Sequence, residues 1–370
     1  KDLAVISPKA QFVVFGRTAL TPANATLVLT TSFEAELAAK PVASGRNIFF
    51  ANNFGRFTGV REFYTEGGTD INDTRPITQH VKKLIVGKVR RMVSSSNYDM
   101  LVVQTDTERN KLYTYQFIWS DNEKVQSSWS RWEFSHSIDY MFFDQAVMYF
   151  IIEDGTSYYL YRMSLDVTDA ADANFPIFMD SQFDVLGVNT QFTLPFADMA
   201  NEPLLAVQGA DCPNPGMRVP ILSVVGSLVT LKYDMEGGDI VVGIPYRSQY
   251  IPTMPFFKDQ DGVVVATANL IVKHFIVSLQ QTGNINAYKQ SKYGTGATVT
   301  FEGRIVGDVN NVVGITALSD DKFVIPFRED SRRAEIVIYT EDYLPMTMLD
   351  IEWVGQYSKS GKRISTGGQN

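Results

Sequence analysis

Residues 112–134 read LYTYQFIWSDNEKVQSSWSRWEF, and the fold class turns on how this stretch is read. It holds three of the chain's four Trp, at positions 119, 129 and 132. Leu112 to Phe117 alternates as a strand does, and Ser120-Asp121-Asn122 supplies turn chemistry. The returning run Ser128–Phe134 places Trp132 and Phe134 on one face and Trp129 and Arg131 on the other, because successive side chains of a strand point to opposite sides. The stretch is therefore a hairpin with large residues on both faces. Such a hairpin belongs either between two packed layers or beneath a ligand.

Working outward, the same unit recurs. Ile48-Phe49-Phe50-Ala51 is followed twelve positions on by Val60-Arg61-Glu62-Phe63, Met100–Val103 by Leu112–Tyr115, and Val147–Phe150 by Tyr159-Leu160-Tyr161. Each pair is two strands about a polar turn, at Asn52-Asn53, Asp106–Asn110 and Glu153-Asp154-Gly155. The units start 52 and 47 residues apart. Four-stranded propeller blades repeat at about 40–50 residues, though stacked hairpins of a sandwich would read alike. The expectation is a mainly β chain: partial β-propeller-like blades plus additional antiparallel β-rich, sandwich-like domains, with very little helix.

Composition agrees with that class and removes others. Apolar residues are 45% and charged residues 20%, which is globular, and a 12% aromatic share favours strands. A length of 370 residues allows two or three domains. A net charge of −8 argues against a protein whose main task is gripping phosphates, while leaving room for an acidic passage that repels a polyanion and lets it slide. The single Cys212 excludes an internal disulfide framework. No apolar run reaches membrane-spanning length, and no signal peptide is visible. The opening KDLAVISPK lacks Met and already resembles strand, which reads as a fragment of a longer protein.

Along the chain, residues 1–45 read as a β-rich leading segment continuing from a missing N-terminal region, with Ser32–Lys40 leaning to strand over helix. Residues 46–165 carry the blade repeats, residues 166–260 form a loop-rich β insertion, and residues 261–357 form an antiparallel β domain. Residues 358–370 read as a frayed Ser, Gly and Lys tail. Glu236-Gly237-Gly238-Asp239 reads as a hairpin turn and Val263–Ala266 as a strand.

Catalytic signatures are scarce. No G-x-S-x-G elbow, Walker loop or complete dinucleotide fingerprint occurs; Gly294-Thr295-Gly296 begins the last of these and reads as a turn. His80, His136 and His274 stand apart, with no partner at metal-ligand spacing. Asp166, Asp169, Asp172 and Asn174 miss the alternate-position ligand spacing of an EF-hand, so a solvated loop is expected. The neighbouring carboxylates Glu153-Asp154 and Glu329-Asp330 diverge in a strand or turn. Lys82-Lys83 with Arg90-Arg91, and Arg328 with Arg332-Arg333, are basic clusters expected on solvated faces. No catalytic, metal or cofactor residue is assigned, and no cofactor is expected.

Four strings together carry a resemblance. Ile77–Val81 (ITQHV), Gly87–Arg91 (GKVRR), the Leu112–Phe134 hairpin with its DNEKVQS turn, and Leu349–Tyr357 (LDIEWVGQY) resemble the tail tubular protein B family, the nozzle proteins of T-seven-type short-tailed podophages. The similarity covers the C-terminal part of such a protein. It implies a structural role in the virion tail as part of a homohexameric ring below an adaptor (gatekeeper) ring. Double-stranded DNA would pass through that ring at ejection, and tail fibres would dock nearby. It also implies a β-propeller with further β-rich domains and no enzymatic activity. Trp119, Trp129, Arg131, Trp132 and Trp353 are the structural signature it marks. The alternative function is a glycan-binding module or a propeller-type glycan hydrolase acting on the host envelope, with the Trp-rich hairpin as its platform.

Overall fold

The computed structural model describes residues 2–15, 21, 25–65, 71–120, 123–155, 157–165, 177–265, 268–303 and 318–359. The chain divides into two compact units, Lys1–Asp166 and Val167–Asn370. Strands dominate both. Among the described residues the helical segments are two 3-10 turns, Gln79–Val81 and Ala197–Asn201. None of the helices is long and apolar enough to cross a membrane.

The first unit is a succession of antiparallel sheets in chain order. Sheet A comprises β1 (Leu3–Ile6), β2 (Gln11–Val14) and β3 (Leu27–Thr31). Sheet B comprises β4 (Val42–Ser44), β5 (Asn47–Phe54), β6 (Phe57–Thr65) and β7 (Asn72–Pro76). Sheet C comprises β8 (Val89–Ser95), β9 (Met100–Thr105), β10 (Lys111–Ser120) and β11 (Glu123–Glu133). Sheet D comprises β12 (Ser137–Asp144), β13 (Val147–Asp154) and β14 (Ser157–Ser164). Every sheet is a meander, each strand pairing with its chain neighbour, so the chain completes one sheet before starting the next.

The sheets stack face on face because interior strands are apolar on both sides. In β9 all six residues are buried. Its odd-numbered Leu101 and Val103, with Tyr113, Tyr115 and Phe117 of β10, pack on Phe49, Ala51 and Val60 of sheet B. Its even-numbered Met100 and Val102, with Leu112, pack on Ile138, Met141, Met148 and Phe150 of sheet D. Phe50 and Phe63 on the opposite face of sheet B meet Val13, Ala4 and Ile6 of sheet A. The period of two that alternates outward and inward in a half-buried sheet here alternates between two cores.

In the second unit the strands are β15 (Asp180–Val188), β16 (Gln191–Thr193), β17 (Leu205–Gln208), β18 (Arg218–Val219), β19 (Ile221–Val225), β20 (Leu228–Leu231), β21 (Gly238–Ile244) and β22 (Ser248–Tyr250). After them come β23 (Ala268–Leu279), β24 (Ile285–Ser291), β25 (Gly294–Thr295), β26 (Val299–Phe301), β27 (Lys322–Asp330), β28 (Ala334–Thr340) and β29 (Met348–Lys359). Sheet β15-β21-β17-β18 faces sheet β16-β20-β19 across a core of Val188, Phe192, Val219, Val229, Leu231, Ile240 and Val242. Sheet β27-β23-β29 faces the sheet of β22, β28, β24, β25 and β26 across Val272, Phe275, Val277, Phe323, Ile325, Ile285 and Ile338. The Tyr343 hydroxyl, donating to the Gly216 carbonyl at 2.8 Å, ties the two sandwiches together. Among the described residues none of the sheets closes into a barrel.

Several local expectations need correction. Asn52 and Asn53 lie within β5, and the turn falls at Gly55-Arg56, where Gly55 takes φ +63°. Asn53 remains in the strand because its side chain is engaged there, donating to Glu36 at 2.8 Å and accepting from Thr58 at 3.0 Å. Ser32–Lys40 is neither strand nor helix; its Phe33 and Ala35 pack on sheets A and B from a loop. Glu236 and Gly237 do turn, at φ +57° and +81°, but they join strands of different sheets and so make no hairpin. Of Val263–Ala266, Val264 forms an isolated bridge to Lys258 and Ala266 lies outside the described residues. The Asp166–Asn174 acidic group and the tail beyond Lys359 also lie outside them.

Candidate functional site

The site of most chemical interest lies between sheets B and C, and the Trp-rich hairpin builds its C side. β10 and β11 pair from Lys111↔Glu133 to Ser120↔Glu123, with a register shift at Ile118/Trp119. That shift is a bulge. Continued alternation would place Val125 opposite Trp119, on the face toward sheet B. The extra residue puts Lys124 there instead and leaves Val125 60% exposed.

Lys124 is thereby sunk among aromatic rings. Its Nζ lies 5.2, 4.7 and 5.3 Å from the ring centroids of Tyr115, Phe117 and Trp119. It donates to both carboxylate oxygens of Glu62, at 2.8 Å each, and lies 3.2 Å from the Tyr115 hydroxyl. Glu62, on β6, is fully buried. It also accepts from Asn47 Nδ2 at 2.7 Å and from Arg75 Nε at 2.7 Å. Arg75 in turn stacks over Tyr64 and Trp119. One buried carboxylate thus receives four hydrogen bonds from three side chains, with a cation on each side and aromatic faces completing the cage. Desolvation lowers the Lys124 pKa, and the hydrogen bonds to Glu62 oppose that shift. Burial raises the Tyr115 phenol as well.

The flanking sheet contacts carry polar ties of different kinds. Within sheet A the buried Gln11 side chain holds Thr31 and the Phe33 backbone, and between A and B Thr74 Oγ1 donates to Thr31 Oγ1 at 2.9 Å. Between C and D, the buried Gln104 donates to the carbonyls of Ile138 at 2.6 Å and Arg109 at 3.0 Å. There Asp139 also receives Arg90 at 3.0 Å and Arg109 at 2.8 Å, and Arg91 stacks 3.6 Å over Tyr140. Each interface is an apolar cluster fastened by its own hydrogen-bonded group.

The signature residues fall in distinct places. Trp119 and Trp129 meet at the B–C interface: Trp129 stacks on Tyr115 at 5.0 Å and donates from Nε1 to the Ile77 carbonyl at 3.0 Å. Trp132 is half-buried on the opposite face, against sheet D. Arg131 is exposed, 3.7 Å from Glu133. Trp353 lies in the second unit, on β29 opposite Phe275. The basic clusters are divided too. Arg90 and Arg91 serve the C–D contact and Arg332 pairs with Asp330, leaving Lys82 and Lys83 exposed beside the 3-10 turn. The Glu62–Lys124 pair escaped sequence reasoning altogether, because its partners sit 62 positions apart and only the bulge brings Lys124 to face Glu62.

This arrangement can hold two sheets together; it presents no nucleophile beside a base. Among the described residues no group of three His, Cys, Asp or Glu is placed to hold a metal ion. Ser135 and His136 are hydrogen-bonded at 2.8 Å as chain neighbours on an exposed turn.

Comparison with known proteins supplies the wider setting. The family profile described as bacteriophage nozzle protein matches residues 1–364. Tail tubular protein gp12 of Escherichia phage T7 is 21% identical over 394 residues, covering 98% of this chain and 48% of that protein. The chain therefore spans about half the length of that relative. Among solved structures, an exo-beta-1,3-galactanase from Phanerochaete chrysosporium covers 93% of this chain and 100% of its own, at 9% identity and TM-score 0.22. A Trypanosoma rangeli sialidase covers 93% of this chain and 96% of its own, also at 9% identity and TM-score 0.22. At those scores neither likeness bears on what this chain does.

Proposed function

Because this chain belongs to the bacteriophage nozzle protein family, we propose that it is a structural component of a phage virion tail, forming part of the tube through which the genome leaves. The observation that carries the reading is the family match along residues 1–364, joined by the relation to a tail tubular protein. In this reading the chain is not an enzyme. It assembles as a homohexameric ring with an adaptor ring above it and tail fibres near the junction, and double-stranded DNA passes through the centre. The blades of residues 46–165 form the body, preceded by the segment of residues 1–45. Residues 166–260 and 261–357 form the further domains, and residues 358–370 a tail. Trp119, Trp129, Arg131, Trp132 and Trp353 serve as packing and edge residues of this scaffold.

Physical support comes from two directions. The buried ion pair between sheets B and C, with apolar clusters between consecutive sheets, suits a scaffold that keeps its shape while a charged polymer moves past. The net charge of −8 suits a surface that does not retain DNA. The glycan-platform alternative is not favoured, since the Trp129 ring is stacked between sheets with its N–H already donated. The deciding experiment is cryo-EM or immunogold labelling of intact virions. Density for this chain in a ring at the distal end of the tail is expected, and its location in the capsid or outside the tail would refute the proposal.

A further inference from the structure

The sheet β16-β20-β19 of the second unit is drawn from two stretches, residues 185–196 and 219–231, that hold no ionisable side chain. Charged residues are 20% of the chain as a whole. Along the sequence the nearest charges are Asp184, Asp198, Arg218 and Lys232. One face of this sheet enters the core through Phe192, Val229 and Leu231. At its far end the turn Gly226-Ser227 joins β19 to β20, with Gly226 at φ +60° as a tight hairpin asks of its first central residue. Val225 and Leu228 flank the turn as a cross-strand pair and are 72% and 42% exposed. A bulge between Ile221 and Ser223 turns Leu222 outward as well, at 63% exposure. Leu194 N donates to the Ser227 carbonyl at 2.7 Å, so the end of β16 reaches the same level, where Phe196 is also exposed.

Tight turns that face water are ordinarily polar, as Gly55-Arg56 between β5 and β6 and Ser331-Arg332-Arg333 between β27 and β28 are here. The Val225–Leu228 tip is aliphatic, and its base has the opposite chemistry. Lys232 N donates to the Pro220 carbonyl at 2.9 Å where the hairpin closes. The exposed Lys232 side chain extends over the Tyr233 ring, with Nζ 5.2 Å from the centroid. Arg218, also exposed, stands just before Pro220 on the other arm. The acidic Asp234 and Glu236 come beyond Tyr233, on the way to β21. From Leu228 to Lys232 the strand covers about 13 Å, at about 3.3 Å per residue. An uncharged aliphatic tip above a collar of Lys, Arg and Tyr matches the depth profile of a bilayer surface, where acyl chains lie beneath phosphates.

We propose that the Val225–Leu228 tip inserts into the boundary between headgroups and acyl chains of a phospholipid bilayer, with Lys232 and Arg218 meeting the phosphates. The charge order along the hairpin chooses this occupant: none at the tip, where a charge would have to be desolvated, and cations at the base, where anionic oxygens lie. The tip enters without spanning. Insertion by about 5–10 Å leaves the base cations within the headgroup layer. Pairing of Val225 with Leu228 keeps the backbone beside the turn hydrogen-bonded across the hairpin as it leaves water. The inference goes beyond the tail reading and does not depend on it.

The test uses the full-length protein and vesicles of phosphatidylcholine, which present phosphates without a net charge to repel an acidic chain. An environment-sensitive dye is attached through Ser227→Cys; Cys212 is buried, so the new thiol reacts selectively. Addition of vesicles should shift the dye emission to the blue, and the unlabelled protein should float with the vesicles. Val225→Asp should lower the bound fraction about tenfold, with Leu222→Asp as a second variant should the first fail to fold. Val324→Asp, at a 53% exposed position on β27, should leave binding unchanged. Absence of both the shift and flotation would overturn the proposal, as would wild-type flotation of the tip variants or an equal loss in Val324→Asp. A blue shift produced by concentrating the protein without vesicles would assign the tip to a protein contact and overturn it too.

Discussion

Replacing Glu62 by Gln tests the central interface most directly. The exchange keeps the size, removes the one anion among two cations, and turns one of the two accepting oxygens into an amide donor facing Lys124. Arg75 has a way out, since 40% of its side chain is already exposed. Lys124 has none, with 9% exposure and three rings around it. It must either remain charged without a counter-ion or surrender its proton. Surrender sets a ceiling: neutralising at pH 7 an amine whose ordinary value is 10.5 costs about 5 kcal/mol, at about 1.4 kcal/mol per pH unit. Breaking a buried pair by removing one partner costs about 3–5 kcal/mol, so both routes converge.

Lys124→Met is milder, at about 2–3 kcal/mol, because Glu62 keeps Asn47 and Arg75. The double variant should show a coupling energy of about 2–3 kcal/mol. A pH signature separates this account from general loosening. Without Glu62, the Lys124 pKa falls further below its unfolded value, so the folded state binds fewer protons than the unfolded state between those two values. Stability of the Gln variant therefore rises relative to wild type as pH climbs from 7 toward 10, and the deficit is fully present at lower pH. Urea unfolding followed by Trp fluorescence suits the measurement, as three of the four Trp lie in the hairpin concerned. A coupling below about 0.5 kcal/mol, or a deficit flat across that pH range, would refute the reasoning.

Other perturbations are more local. Trp129→Phe keeps the ring stack but leaves the Ile77 carbonyl without its donor, and should cost about 1–2 kcal/mol in the same assay. Gly87→Ala combines a φ of +95° with a Cβ placed 2.6 Å from Thr107 Oγ1; a loss of about 2–3 kcal/mol is expected, and a neutral melting temperature would show that the loop gives way. The Asp180 carboxyl, crowded by protein atoms while part of it still reaches solvent, is pushed up to about 6 from 3.8. Its folded value is the higher one, so its contribution is greatest below pH 3.8 and is lost as pH rises through about 6. Asp180→Asn should accordingly raise the melting temperature at pH 8 and leave it unchanged at pH 3.5; an equal gain at both would refute the assignment.

What could be read from the sequence followed the range of the interactions involved. The hairpin of β10 and β11 is written in adjacent residues: alternation fixes the faces, and Trp132 and Trp129 point to opposite sheets as their parity requires. The same holds for β5 with β6, β9 with β10 and β13 with β14, each joined by a short turn. Where a side chain borrowed a distant partner, local reading failed. Asn53 has the composition of a turn but lies in a strand, because Glu36 and Thr58 satisfy it there. Lys124 has the composition of a solvated turn residue and is buried, because a bulge turns it toward a carboxylate 62 positions earlier. Arg90 and Arg91 looked like a solvated basic face and instead join two sheets.

The unlike polar ties between successive sheets bear on how such a chain avoids misfolding. Hairpins of similar length and similar apolar faces can dock on the wrong neighbour, a hazard common to tandem β architectures. Apolar contacts discriminate poorly among them. A carboxylate that needs an ammonium, a glutamine that needs a carbonyl of the next sheet, and a threonine that needs a partner hydroxyl discriminate well. Were sheet B to dock where D belongs, Glu62 would be buried without Lys124, and the Gln104 amide would have lost the Ile138 carbonyl it is aimed at. The order of the sheets is thus encoded twice, once in chain succession and once in a set of keys that fit only their own locks.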